Sequence, residues 1–197
     1  MKIATFNING IKARLNTLIP WLKSCDPDIA IFQEIKSTDE NFPRDPIEDL
    51  GYNLETYGQK GFNGLALLSK YPIDSISYGL EGNKADTQAR WIEAEIHGLK
   101  ICGLSLPNGN PMPGPKFEYK IEWMNRLFYR AQELISLQQP TIMMGDYNII
   151  PHEDDVEYPD LWLSDALTNM AAREIFQKIL YLGFIDALRS KKNGPGF

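Results

Sequence analysis

The stretch that most constrains the fold of this chain is Thr141–Ile150, with the sequence TIMMGDYNII. Its apolar run is too short for a helix and, with the glycine that follows it, is typical of a buried strand that ends in polar groups. Asp146 and Asn148 follow that glycine. A carboxylate at the end of a strand suits a hard cation or an activated water, and a neutral amide beside it can donate a hydrogen bond to an oxyanion. These residue types indicate phosphate-ester chemistry, although they are also common in ordinary turns.

Other apolar strands of the chain end in similar polar residues. The first strand pattern, residues 1–6, leads into Asn7 and the turn sequence NING, and the pattern of residues 28–32 leads into Gln33 and Glu34. A third run, residues 99–105, ends in Ser105. We expect these strands to share one direction in a sheet, so that their ends meet at one edge. The alternative for Glu34 is a surface ion pair with Lys36, which has little energetic weight.

The remaining pattern predicts an α/β fold with a sheet that mixes parallel and antiparallel pairing. Apolar residues at helical spacing predict a helix that stops before Asp26-Pro27, a long helix over residues 116–137 and another over residues 172–182. Further strands are predicted at residues 52–57, 65–69, 75–78 and 90–96. Turn signals at Asn63-Gly64 and His97-Gly98 predict hairpins.

Length, charge and cysteine content limit the classes of protein to consider. A chain of 197 residues with 43% hydrophobic content can form one domain with a sizeable core. Its net charge of −6 argues against nucleic-acid binding through an overall positive charge, so any polyanion must bind to a locally positive surface. The two cysteines are too few and too far apart for a disulfide framework, and no segment resembles a signal peptide or membrane span. We expect a soluble, cytoplasmic protein with reduced thiols.

Five motifs of the chain together resemble a known family. They are TFNING at residues 5–10, QE at 33–34, GQKGFNG at 58–64, PNG at 107–109 and GDYN at 145–148. In order and spacing they look like the successive motifs of bacterial exonuclease III, in the abasic-site endonuclease branch of the endonuclease/exonuclease/phosphatase superfamily. The resemblance implies a four-layered α/β/β/α sandwich with two packed mixed sheets, as a single domain over residues 1–197.

The resemblance also implies an activity and residue roles. The activity is a Mg²⁺- or Mn²⁺-dependent phosphodiesterase that cuts duplex DNA 5′ to abasic sites or trims 3′ ends. Metal ligation is expected from Asn7, Glu34, Asp146 and Asn148. Asp146 would also handle the proton of the attacking water or leaving group, and Asn148 would hold the phosphate oxyanion. The positions where the family meets its DNA are Arg90, Asn108 and Lys116.

The sequence departs from the family pattern at two points. Ser105 stands where the family usually has a tyrosine, and we include it among the catalytic candidates. The sequence also ends before the segments that supply the family's second carboxylate and catalytic histidine, so we expect a fold that lacks its last strands. We expect His97 and His152 to be exposed side chains rather than general bases.

Two other functions remain open at this level. One is a catalytically impaired DNA-binding remnant of the family, favoured by Ser105 and the missing histidine. The other is a phosphomonoesterase of the same superfamily. We expect a monomer if the chain is complete and self-association if it is shortened, because lost strands would expose apolar surface and unpaired edges.

Overall fold

The computed structural model describes residues 1–191. It contains eight strands, four α-helices and three short 3₁₀ helices within those residues. The strands are β1 (Ile3–Asn7), β2 (Ile29–Gln33), β3 (Asn53–Tyr57), β4 (Leu65–Ser69), β5 (Ser75–Tyr78), β6 (Trp91–Ile96), β7 (Leu99–Ser105) and β8 (Thr141–Asp146). The α-helices are α1 (Ile11–Cys25), α2 (Asp45–Glu48), α3 (Pro115–Ser136) and α4 (Met170–Tyr181), and the 3₁₀ helices are Asp39–Asn41, Glu153–Asp155 and Pro159–Trp162.

The chain divides into two compact units. The first consists of Met1–Ser105 with Gln139–Asp146, and the second consists of Leu106–Gln138 with residues 147–191. Both sheets belong to the first unit, whereas α3 and α4 belong to the second, where they pack against each other. Over residues 1–191, no helix combines the length and apolar character needed to cross a membrane.

The first sheet has the strand order β1-β2-β4-β3. β1 and β2 are parallel, and β4 runs antiparallel to both of its neighbours. The joint between β3 and β4 is the predicted hairpin, in which Asn63 and Gly64 both have positive φ, of 54° and 86°. This sheet therefore mixes parallel and antiparallel pairing, as the sequence predicted.

The second sheet has the strand order β5-β6-β7-β8. β6 and β7 form the predicted hairpin around His97-Gly98, and β7 and β8 are parallel. A parallel pair needs a long crossover connection, and α3 lies in the chain between β7 and β8. Asp146 therefore ends its strand in register with Ser105.

The core is built from strands whose two faces are both buried. Within β2, Ile29 and Ile31 pack among residues of the second sheet, whereas Ala30 and Phe32 face the side of the sheet that α1 covers. Because side chains alternate between faces along a strand, a continuous apolar run is what a sheet covered on both sides requires. The expected sandwich of two packed mixed sheets is thus confirmed.

One expectation about topology is wrong. The four polar strand ends do not lie at the edge of a single sheet with strands in one direction. Asn7 and Glu34 follow parallel strands of the first sheet, and Ser105 and Asp146 end parallel strands of the second. The apolar pattern of these strands encodes burial on both faces, and it carries no information on which strands pair.

The predicted helices match the structure to within two residues. α3 covers Pro115–Ser136 and α4 covers Met170–Tyr181, where Asn169 caps the helix by accepting a hydrogen bond from the backbone N–H of Ala171. Cys25 and Cys102 are not joined in a disulfide, and Cys102 is buried.

Gly145 carries a testable consequence of the β7–β8 pairing. A Cβ atom there would overlap the carbonyl oxygen of Leu104, and its φ of 148° disfavours any side chain. We expect Gly145→Ala to lower the free energy of unfolding for two reasons. Backbone strain should cost about 1–2 kcal/mol, and the overlap with Leu104 should cost about 2 kcal/mol or more in addition. Urea unfolding followed by tryptophan fluorescence measures this change.

Gly98→Ala is the matched control. Gly98 also has a positive φ, of 77°, but a Cβ there meets nothing within 4 Å. It should show the backbone cost alone. Equal losses in the two variants would contradict the steric explanation for Gly145.

Candidate active site

One side-chain amide joins two carboxylates at the ends of strands from different sheets. The Nδ2 group of Asn7 donates hydrogen bonds to Glu34 Oε1 at 2.9 Å and to Asp146 Oδ2 at 3.0 Å. The orientation of this amide is set by its other end, because Asn7 Oδ1 accepts a hydrogen bond from the backbone N–H of Asn9 at 3.0 Å. The structure therefore brings together three of the residues that the sequence selected.

The loops after β1 and β2 hold Asn7 and Glu34 side by side. The backbone N–H of Ile8 donates to Gln33 O at 2.9 Å, and that of Gly10 donates to Glu34 O at 2.8 Å. Glu34 itself has a φ of 53°, a left-handed conformation that costs a residue with a side chain about 1–2 kcal/mol. Such strain concentrates at functional sites and persists only where the surrounding structure enforces it.

Glu34 also forms the ion pair considered as its alternative role. Lys36 Nζ lies 3.0 Å from Glu34 Oε2 and donates to Asn9 Oδ1 at 2.5 Å. The two roles coexist, because Lys36 and Asn7 engage different oxygens of the carboxylate. Burial acts to raise the pKa of Glu34, but hydrogen bonds from Asn7 and Lys36 and the charges of Lys36 and Arg90 outweigh it, so the pKa is lowered. Glu34 is thus held as a carboxylate.

Two hydrogen bonds join Ser105 and Arg90, one between main-chain groups and one from the Arg90 side chain. The N–H of Ser105 donates to Arg90 O at 3.0 Å, and Arg90 Nη1 donates to Ser105 O at 2.9 Å. Arg90 Nε also donates to Gln88 Oε1 at 2.8 Å, so the guanidinium is held from two sides. Ser105 is only 2% exposed. Its catalytic role stays a prediction, and the contacts described here make it a support for Arg90.

Asn148 and Asn108 meet in the second unit. Asn108 Nδ2 donates to Asn148 Oδ1 at 3.2 Å, and Asn148 Nδ2 donates to Leu106 O at 2.9 Å. Asn148 has a φ of 45°, a conformation that asparagine tolerates better than most residues. The amide that the sequence assigned to the oxyanion is therefore fixed in orientation by the segment that carries Asn108.

The other residues selected from the sequence lie at the surface. Lys116 is exposed in the first turn of α3, and His97 and His152 are exposed as expected. His97 stacks on Tyr71 with ring centroids 5.2 Å apart, and His152 begins the 3₁₀ helix Glu153–Asp155. Neither histidine has contacts that mark it as a general base.

Sequence reasoning missed Lys120. This residue of α3 is fully buried, and its Nζ donates to Asn108 O at 3.0 Å and to Asn148 O at 2.6 Å. A signal was available, because Lys120 lies at helical spacing from the buried residues Met124 and Leu127. A lysine on the apolar stripe of a helix indicates a buried charge with dedicated partners.

The residues of the first unit fit a hard divalent cation. Glu34 and Asp146 supply carboxylate oxygens, and Mg²⁺ is commonly held by one or two carboxylates with water and substrate phosphate completing its shell. Among residues 1–191, no group of three or more His, Cys, Asp or Glu side chains could hold a metal, so an all-protein cage is not formed there. Such a donor set would suit an open site, in which water and substrate oxygens would complete the coordination.

Known proteins resemble this chain over nearly its whole length. The Endonuclease/Exonuclease/phosphatase family matches residues 4–189. Exodeoxyribonuclease III of Haemophilus influenzae is 32% identical over 200 residues, which cover 96% of this chain and 75% of that protein.

Two solved structures share the fold. The AP endonuclease from Archaeoglobus fulgidus has a TM-score of 0.92 and 36% identity, over 96% of this chain and 74% of that one. The 3′ phosphatase NExo from Neisseria, bound to product DNA hairpin, has a TM-score of 0.94 and 30% identity, over 99% of this chain and 76% of that one.

This chain belongs to the endonuclease/exonuclease/phosphatase family. Its homologues include exodeoxyribonuclease III and AP endonuclease, which confirms the predicted family and the predicted class, a nuclease of DNA repair. The family is one of metal-dependent nucleases.

The lowered pKa of Glu34 predicts a pH dependence of stability. A carboxylate whose pKa is depressed by folding contributes stability that is fully present above its unfolded pKa of about 4.5 and lost as the pH falls through the folded value. We expect wild type to have a larger free energy of unfolding than Glu34→Gln near pH 7. This difference in stability, the stability gap, should narrow below about pH 4.5. Urea unfolding of both proteins across this range measures the gap, and titrations common to both cancel.

The companion variant is Lys36→Met. It removes the charged partner of Glu34 but keeps the carboxylate. The difference in free energy of unfolding between Glu34 and Glu34→Gln should therefore be smaller in the Lys36→Met background than in wild type. A gap that stays constant with pH, or grows on acidification, would refute a lowered pKa.

Proposed function

We propose that this chain is a Mg²⁺- or Mn²⁺-dependent phosphodiesterase that acts on duplex DNA, cutting 5′ to abasic sites and removing nucleotides from 3′ ends. The observation that carries the proposal is the Asn7 amide, which holds the carboxylates of Glu34 and Asp146 together. The exodeoxyribonuclease and AP endonuclease relatives support the choice of substrate.

In this proposal Glu34 and Asp146 would hold the metal ion. When bound, such an ion neutralises charge on the scissile phosphate and stabilises the leaving oxygen during in-line displacement. The lowered pKa of Glu34 keeps this ligand deprotonated and competent to bind. Asn7 acts chiefly by orienting, because its oxygen is engaged by the N–H of Asn9 and its nitrogen faces the carboxylates.

Asp146 and Asn148 are proposed to act on the reacting phosphate. Asp146 would accept the proton of the attacking water or supply one to the leaving group, a role that requires hydrogen-bond reach of the reacting oxygen. Asn148 would donate to the phosphate oxyanion, since a neutral amide stabilises that charge without repelling it. The support for this role is the fixed orientation of the Asn148 amide by Leu106 O and Asn108.

DNA contacts are proposed at Arg90, Asn108 and Lys116. Arg90 is held by Gln88 and Ser105, so its guanidinium is oriented in advance, and Lys116 is exposed at the start of α3. With a net charge of −6, the chain must bind DNA through a few local cations. Binding should therefore weaken as salt rises, with a shallow slope that reflects few phosphate contacts.

A DNA 3′-phosphatase is the second candidate. It is a phosphomonoesterase activity, and the Neisseria relative of 30% identity is described as a 3′ phosphatase bound to product DNA hairpin. The same carboxylates and amide would serve, because both reactions displace an oxygen from a phosphate. The two candidates differ in the substrate that gives product.

The decisive assay offers the purified chain three labelled duplexes: one with an internal abasic site, one with a recessed 3′ hydroxyl and one with a 3′ phosphate. We expect Mg²⁺-dependent product from the first two, abolished by EDTA and restored by added Mg²⁺ or Mn²⁺. Release of phosphate from the third duplex alone would select the phosphatase. No product from any duplex, with binding retained, would select the catalytically impaired remnant.

Substitution of the proposed residues should reduce turnover while the fold remains. We expect Asn148→Ala to lower kcat by about 10²- to 10³-fold, since loss of one oxyanion donor typically costs that much. We expect Asp146→Asn to lower kcat by about 10²- to 10⁴-fold, since proton transfer by a positioned side chain typically contributes that much. Asp154→Asn is the control, an exposed acid of the 3₁₀ helix Glu153–Asp155 outside the proposed site. Wild-type kcat in Asp146→Asn would contradict the assignment.

A further inference from the structure

We propose that Lys120 is a positioning residue for the reaction, because its buried ammonium group sets the orientation of the Asn148 amide. This inference rests on the phosphate-binding role proposed for Asn148. Lys120 lies on α3, and its solvent exposure is 0%. It acts through its neighbours, and no contact of its own with substrate is required.

The ammonium group of Lys120 connects two chain segments. Its Nζ donates to the carbonyl oxygen of Asn108 at 3.0 Å and to that of Asn148 at 2.6 Å. Burying a lysine costs several kcal/mol unless its charge and hydrogen-bond donors are satisfied. The carbonyls of Asn108 and Asn148 repay part of this cost, so the lysine and the two segments stabilise each other.

The side chains of the same two segments then fix each other. Asn108 Nδ2 donates to Asn148 Oδ1, and Asn148 Nδ2 donates to Leu106 O. Because Asn148 is in the left-handed region, its carbonyl and side chain depend on the local backbone being held there. Lys120 supplies a strong charge-assisted hydrogen bond to that backbone.

The space for the lysine stem is also specific. A Cβ atom on Gly109 would lie 2.6 Å from Lys120 Cδ and 3.1 Å from Ala166 Cβ. The φ of Gly109 is +90°, which glycine adopts without strain. The loop after Ser105 therefore carries a glycine at the point where the lysine passes it.

A lysine suits this position better than other residues. Its compact ammonium group carries three donors and can reach two carbonyls from one atom, whereas a guanidinium is larger and planar. Methionine has a similar length and fills the same volume, but it donates no hydrogen bond. Lys120→Met therefore removes the proposed function of the side chain with little change in packing.

The first test is steady-state kinetics on the duplex that wild type cleaves. We expect Lys120→Met to lower kcat by about 10- to 100-fold with little change in KM, because a small displacement of a group that acts in the transition state costs turnover more than binding. Lys178→Met is the matched control, an exposed lysine of α4 in the same unit. It should keep wild-type kcat.

The second test asks whether Lys120 acts through Asn148. In the Asn148→Ala background, Lys120→Met should lower kcat by less than about twofold, because residues of one network have non-additive effects. A full, multiplicative loss in the double variant would overturn the proposal and leave Lys120 with a general structural role.

The third test does not depend on activity. The side-chain amide signals of Asn148 in a ¹H–¹⁵N spectrum should shift and exchange faster with solvent in Lys120→Met, while those of Asn7 stay in place. Unchanged Asn148 signals would overturn the positioning role even if wild type is an active nuclease. Shifted signals in an inactive wild type would uphold it and count against the proposed function alone.

Thermal melting of each variant decides which kinetics can be compared. If Lys120→Met melts below the assay temperature, Lys120→Gln, which keeps one donor group, replaces it in all three tests. An intermediate shift of the Asn148 signals is then expected. Wild-type signals and kcat in a folded Lys120→Gln would overturn the proposal.

Discussion

The site depends on how two negative charges are kept close together inside a folded chain. Glu34 and Asp146 come from different sheets, and the like charges of their carboxylates repel each other. The amide of Asn7 offsets this repulsion by donating to both, and Lys36 adds a positive charge on the far oxygen of Glu34. Because Asn7 is neutral, the pair keeps its negative charge and remains attractive to a cation.

The packing of the two sheets gives this arrangement its stability. β2 and β4 are buried on both faces, so their side chains tie α1 to one side and the second sheet to the other. The interior is close-packed and transmits strain, so the ends of β1 and β8 cannot shift independently. The side-chain contacts at those ends are therefore a direct product of a core that contains none of the site residues.

The sequence predicted the local structure well because local structure depends on nearby residues. The strand that leads into the motif GDYN ends at Asp146 as predicted, and the strand over residues 65–69 has the predicted bounds. Motif order also selected Asn7, Glu34 and Asp146, which the structure joins by hydrogen bonds. Pairing was not predictable in the same way, since an apolar run shows that a strand is buried but not which strand lies beside it.

Two features of the site could not be predicted from the sequence and are visible only in the three-dimensional structure. The orientation of the Asn7 amide depends on the N–H of Asn9, and the role of Lys120 depends on carbonyls from segments 12 and 28 residues away in the chain. Main-chain groups leave no mark in the sequence, because every residue carries them. The lysine on the apolar stripe of α3 was visible, but its partners were not.

The left-handed backbone of Glu34 has a consequence for how such a protein changes over generations. Glycine or asparagine would fit that conformation with less strain, so substitutions there that abolish the carboxylate would also relax the chain. Relief of backbone strain alone would favour those substitutions, whereas the hydrogen bond from Asn7, the ion pair with Lys36 and the attraction for a cation oppose them. Position 34 is thus one where the backbone and the side chain favour different residues.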